Sequence, residues 1–128
     1  HGNVVLFSAA IPFQDGYNHL NEQWQDYWVD LFAKNNYLPI DNIRRKIWHC
    51  EDVSPWYKQD ILFFIAEDSM MNHSKYKMAY EATKSESYSL VHPFYYLKKI
   101  EKLSNLDNYE ARDLIKSLKK RIKNKFKL

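Results

Sequence analysis

Glycine is almost missing from this 128-residue chain; only Gly2 and Gly16 occur. A loop that cradles a phosphate or a nucleotide exposes several backbone amides at closely spaced glycines, so the chain contains no such loop. Cysteine is nearly absent too. The lone Cys50 excludes an internal disulfide and any CxxC zinc pattern, and it suits a reducing, cytoplasmic setting. No run approaches the roughly 20 apolar residues needed to cross a bilayer, and no stretch has the form of a signal peptide. Aromatic residues, in contrast, make up 16% of the chain, with ten Tyr and four Trp. A chain of this length can bury about two-thirds of its unfolded surface, so it needs no covalent staple to form a core.

The net charge of +3 conceals a polarity. Residues 1–97 carry 8 Lys/Arg against 12 Asp/Glu, whereas residues 98–128 carry 11 against 4. The basicity therefore belongs to a tail, and the chain reads as a domain over 1–97 followed by a basic amphipathic helical tail over 98–128.

The unbroken apolar run Val4–Ile11 predicts a strand buried on both faces, ended by Pro12. Phe13–Asn18 reads as a turn marked by Asp15–Gly16. From His19 to Lys34 the spacing of Leu20, Trp24, Tyr27, Trp28, Leu31 and Phe32 predicts an amphipathic helix, with Asn18 as its N-cap and Glu22 in its first turn. Tyr37–Ile40 predicts a short strand, Ile43–Trp48 an extended piece or brief turn, Cys50–Lys58 a loop and Ile61–Ala66 a further strand. The short link between the last two strands favours an antiparallel pair. Asp68–Ser89 is polar and reads as partly helical at best, and Pro93 interrupts the apolar patch Leu90–Tyr96. From Asn108 onward Leu114, Leu118, Ile122 and Phe126 form one helical line, widened by Tyr109, Ala111 and Ile115.

His19 is the leading candidate for chemistry, because an imidazole titrates near neutrality and can take a proton from a hydroxyl. Gln14 and Asp15 stand where a polar substrate or plain solvent would be met. Trp24 and Trp28 suit a core better than a sugar-stacking platform. The neighbours His49, Cys50, Glu51 and Asp52 alternate in direction in an extended segment and cannot converge on one ion, so no metal is expected.

Several local patterns occur together: VLFSAAIP over Val5–Pro12, a turn glycine at Gly16, and H-x-NEQW over His19–Trp24. An imperfect R-x-x-I-W element follows over Arg45–Trp48, with Arg44 at the three-residue spacing to Ile47, then Trp56-Tyr57, the strand Ile61–Ile65 and the VHP element at His92 and Pro93. This set, over about residues 4–95, resembles the latter half of a class I S-adenosylmethionine-dependent methyltransferase domain of the bacterial sugar or small-metabolite type. Asp15 stands where glycine is common in that family. The resemblance implies a partial Rossmann-like α/β sheet: the last three of seven strands, the final two antiparallel, with a helical extension. It implies His19 as catalytic base and Gln14, Asp15, Asn21, Glu22, Trp56, Tyr57 and His92 as contacts for a small-molecule acceptor. S-adenosylmethionine is implied for the full-length domain. This chain lacks the glycine-rich half, so it is expected to be a fragment or truncated form that binds no cofactor and is inactive alone. An uncovered strand edge implies a homodimer or a complementing chain, and a non-catalytic interaction module is the alternative function. For the tail, docking of the helix on protein is favoured over weak membrane association, and no nucleic-acid motif accompanies it.

Overall fold

The computed structural model describes residues 2–14, 16, 17, 19–105 and 111–125. The chain divides into two compact units, His1–Tyr95 and Tyr96–Leu128. The first contains β1 (Val4–Ser8), α1 (Gln25–Ala33), β2 (Tyr37–Ile40), α2 (Ile43–Ile47), α3 (Pro55–Asp60), β3 (Ile61–Ala66), α4 (Glu67–Asn72) and α5 (Ser74–Thr83). Helix α6 (Pro93–Ser104) runs from it into the second unit, which also holds α7 (Ala111–Lys125).

The sheet has three strands in the order β1-β3-β2, with β3 antiparallel to both neighbours. The expected antiparallel pairing of the last two strands is present, Leu38 facing Ile65 and Ile40 facing Phe63. Because both outer strands oppose β3, they run parallel to each other, and α1 makes the crossover that a parallel relation requires.

Side chains alternate across the pleat, so each strand feeds two layers. One face carries Val5, Phe7, Leu62 and Phe64, packed with Val29 and Phe32 of α1 and with Tyr37 and Tyr88. Phe32 stacks on Phe64 at 3.8 Å between ring centres, and Phe7 meets both edge-on. Such ring pairs add about 0.5–1.5 kcal/mol each beyond the area they bury. The other face carries Leu38, Ile40, Phe63 and Ile65 under Met70 of α4 and Tyr76, Ala79 and Tyr80 of α5.

Several sequence expectations are corrected. β1 ends at Ser8 and alternates, so it is not buried on both faces: Val5 and Phe7 pack inward while Leu6 is 55% exposed. Helix α4 and helix α5 lie over β2 and β3, and on that side Val4 and Leu6 of β1 stay 42% and 55% exposed. Helix α1 begins at Gln25 instead of His19, because the Gln23 amide donates to the Ala10 carbonyl and closes residues 11–22 into a loop. Glu22 spends its carboxylate on that loop and not on a helix start. Residues 43–47 and 55–60 are helical; Pro55 opens α3 at a position where its missing N–H costs nothing. Trp56 and Tyr57 are thus helical residues. Most of Asp68–Ser89 is helical as well: Glu67 and Asp68 sit at the amino end of α4, where the helix dipole favours them, and Tyr76, Ala79, Tyr80 and Thr83 give α5 an inward stripe. Asp15, the proposed cap Asn18, and Tyr109 and Phe126 of the tail line lie outside the described residues.

Candidate functional site

β1 ends where β3 begins, Ser8 opposite Ile61, and β2 runs toward the same end of the sheet. The carboxyl ends of parallel strands are where open α/β sheets place their ligands. Here that end holds a connected set of buried polar side chains: Gln14, Gln25, Asp41, Arg44, Gln59, Asp60 and Thr83.

Its centre is Gln59, wholly buried at the end of α3. Gln59 Nε2 donates to Gln14 Oε1 at 2.7 Å and to Asp60 Oδ1 at 3.1 Å, and its Oε1 accepts the His92 amide at 2.9 Å. Its backbone carbonyl accepts from Gln25 Nε2 and from the Arg44 guanidinium. Arg44 is also fully buried. It forks onto both carboxylate oxygens of Asp41 and reaches the Tyr88 carbonyl at 2.8 Å. One guanidinium therefore ties the end of β2, the start of β3 and the segment before α6 together.

Among the described residues Asp60 forms no salt bridge; Gln14 Nε2 donates to its Oδ2 at 2.5 Å. Burial pushes its carboxyl up to about 6, against the hydrogen bonds from Gln14 and Gln59 and the positive charge of Arg44, which act the other way; His19 adds to that lowering only when its ring is protonated. This is a carboxyl that titrates near neutrality inside the polar end of the sheet. One further buried atom in the cluster, Gln25 Oε1, has no donor among the described residues.

Outside this network the loop over residues 11–23 carries the histidine. Ile11 to Gln14 is a tight turn with Pro12 at its second position and Phe13 at φ 66°, as in a type II turn. An aromatic residue there is strained, and the Phe13 amide is held by Glu22 Oε2 at 3.0 Å. The other Glu22 oxygen accepts from His19 Nδ1 at 2.9 Å. A carboxylate only accepts, so Nδ1 carries the proton and Nε2 of the neutral ring is left as a base. Gly16 makes room for this ring: a β-carbon at Gly16 would overlap it. Around the pair, Phe13, Tyr17 and Leu20 stand 81%, 89% and 98% exposed. Three large apolar side chains thus stand in open solvent on one short loop.

The structure brings together some of the sequence-derived residues and separates others. His19 and Glu22 form one pair. Gln14 lies directly behind the loop but faces inward, its amide fully engaged with Ile11, Gln59 and Asp60. Asn21 is exposed and accepts from Gln23. Trp56 and Tyr57 are half-exposed on α3. His92 is structural in its bonding: Nε2 donates to the Trp48 carbonyl, its Nδ1 accepts the Phe94 amide at the start of α6, and its ring lies against Trp48. Gln25, Gln59 and Asp60 were missed in the sequence. Their signal was faint, since glutamine inside a helix reads as a solvated residue. Arg44 was singled out only as part of R-x-x-I-W, although Asp41 three residues earlier is the partner such an arginine needs. Among the described residues no group of His, Cys, Asp and Glu is placed to hold a metal ion.

No protein-family model, no characterised protein and no solved structure matches this chain. Among the described residues, no helix is long and apolar enough to cross a membrane. What the chain does must be argued from its own geometry.

Proposed function

We propose that this chain is the acceptor-side part of a cytoplasmic, class I S-adenosylmethionine-dependent methyltransferase domain acting on a sugar or similar small metabolite. One observation carries the reading: the two outer strands of the sheet differ. β2 holds Pro39 near its middle, on the outward-facing side of the ladder, where the missing N–H blunts the edge. β1 is VVLFS, with no proline and no charge, and presents Val4, Leu6 and Ser8 to an open edge. The phase follows from the Ala66 amide donating to Asn3 O, which turns the alternate residues outward. A strand built this way is suited to the interior of a larger sheet. That is what the last three strands of such a domain, cut from the rest, would display.

S-adenosylmethionine supplies an electrophilic methyl group when bound, but the residues of this chain do not form its site. Gly2 and Gly16 are the only glycines, and the space at Gly16 is filled by His19. No step is assigned to this chain beyond the acceptor. There, His19 Nε2 takes the proton of an acceptor hydroxyl, and Glu22 holds the ring by Nδ1–H and stabilises the imidazolium that forms. The exposed side chains of Phe13, Tyr17 and Leu20 close against the missing half. Calorimetric titration with S-adenosylmethionine tests the reading. This chain alone gives no binding heat, and the chain lengthened by whatever is encoded in frame ahead of His1 gives saturable binding. Tight binding by this chain alone, or none by the lengthened one, overturns it.

The same open edge supports a second reading, an interaction module in which β1 of one copy pairs with β1 of another. Light scattering separates the two, because that module is a defined dimer.

A further inference from the structure

Helix α7 carries a surface pattern that the methyltransferase reading leaves unused. At 3.6 residues per turn, Ala111, Leu114, Ile115, Leu118 and Ile122 fall within an arc of about 100°. Leu114, Ile115, Leu118 and Ile122 are 46%, 54%, 61% and 50% exposed. Lys116 and Lys120 lie opposite this stripe, beside Asp113, and Lys119 and Arg121 flank it on its two sides. From Lys116 to Leu128 the sequence has seven basic residues and no acidic one.

We infer that α7 is a peripheral membrane-binding helix that lies flat on a bilayer rich in anionic lipid. Two features choose this occupant. The cations call for a surface of fixed negative charge, and the apolar stripe calls for a hydrocarbon layer directly beneath that charge. A nucleic-acid backbone meets the first need and offers nothing to four exposed aliphatic side chains. An anionic bilayer offers both in the required order, headgroups above and acyl chains below. The lysine and arginine stems extend their charges upward to the headgroups while the stripe sinks to the acyl boundary. The helix, 15 residues long, binds in the plane of the surface and does not cross it.

Co-sedimentation of the intact chain with vesicles tests this. Phosphatidylcholine vesicles containing about one-third phosphatidylserine are compared with phosphatidylcholine alone. The expected result is binding at least tenfold tighter to the anionic vesicles, lost as salt rises toward about 1 M, where charge attraction extends only a few ångströms. Replacing Lys116, Lys119, Lys120 and Arg121 with serine weakens binding by roughly fivefold per cation removed. Replacing the three lysines with arginine preserves it, which separates charge from a fold defect. Leu118→Asp reduces binding while the far-ultraviolet circular dichroism of the chain stays unchanged. Equal sedimentation with both vesicle types overturns the inference, as does an unchanged affinity in Leu118→Asp. Duplex DNA that competes away all vesicle binding at equal charge concentration overturns it too, by showing that the cations act without the stripe.

Discussion

The two edges of the sheet contrast most clearly. On the β2 side everything is finished: Pro39 breaks the edge, Ile40 and Asp41 are buried, the Asp41 amide donates to the Thr83 hydroxyl of α5, and Arg44 ties Asp41 to the Gln59 carbonyl just ahead of β3. On the β1 side apolar residues stand in solvent, Val4 and Leu6 on the strand and Phe13, Tyr17 and Leu20 on the loop beyond it. Both edges come from one short sheet and face the same water. On the reading proposed above, β2 ends a sheet and β1 takes a neighbour.

The largest way to break that contrast is to unlock the finished side. Arg44→Ala strands the Asp41 carboxylate and the Tyr88 carbonyl in the interior, and chemical denaturation should show a loss of about 3–5 kcal/mol. Phe64→Ala, beneath the stacked Phe32, is expected to cost a similar amount through the cavity it leaves, roughly 3–5 kcal/mol.

Next comes pH, which acts where the two sides meet. Asp60 has its carboxyl raised to about 6 in the folded chain against 3.8 ordinarily. The neutral form is therefore the one that suits the fold. Its contribution is fully present below about pH 4 and is lost as pH rises through 6, of order 3 kcal/mol at most. Stability measured from pH 4 to 8 should decline across that window, and Asp60→Asn should flatten the decline.

The unfinished side predicts small effects on stability. Leu6→Lys should change unfolding free energy by less than about 0.5 kcal/mol, because the side chain is half in solvent; on the interaction-module reading it also breaks the dimer seen by light scattering. The same substitution at Leu62, which is 2% exposed, should abolish folding. Phe13→Gly relieves a left-handed backbone at the cost of chain entropy, and a net gain of about 1 kcal/mol or less is expected in thermal unfolding.

The sequence made three strands and the antiparallel final pair legible, because Val, Ile, Leu and Phe ran on with turn residues between them. It misjudged β1, whose unbroken apolar run reads as burial on both faces. An apolar run alone does not show whether both faces of a strand are covered, and here Leu6 faces solvent. The helices α2, α3 and α4 are five or six residues each, too short for a 3.6-residue period to show. At the candidate site His19 and Glu22 could be singled out as a pair, but as the first turn of a helix. Their actual bond, and the use of Glu22 to hold Phe13, depend on the backbone hydrogen bond from Gln23 to Ala10 that only the fold supplies. The buried hub was the least legible. Gln59 and Asp60 lie 45 and 46 residues from Gln14 along the chain, and nothing local marks a glutamine that faces inward.

Amide hydrogen exchange along β1 tests the central claim most directly, in this chain and in the chain lengthened at its amino end. If β1 is an interior strand, the outward amides of Val4, Leu6 and Ser8 exchange rapidly here while Val5 and Phe7 are protected by β3. The lengthened chain then protects all five. Outward amides that stay as fast in the lengthened chain would show that β1 is a true edge and contradict the account.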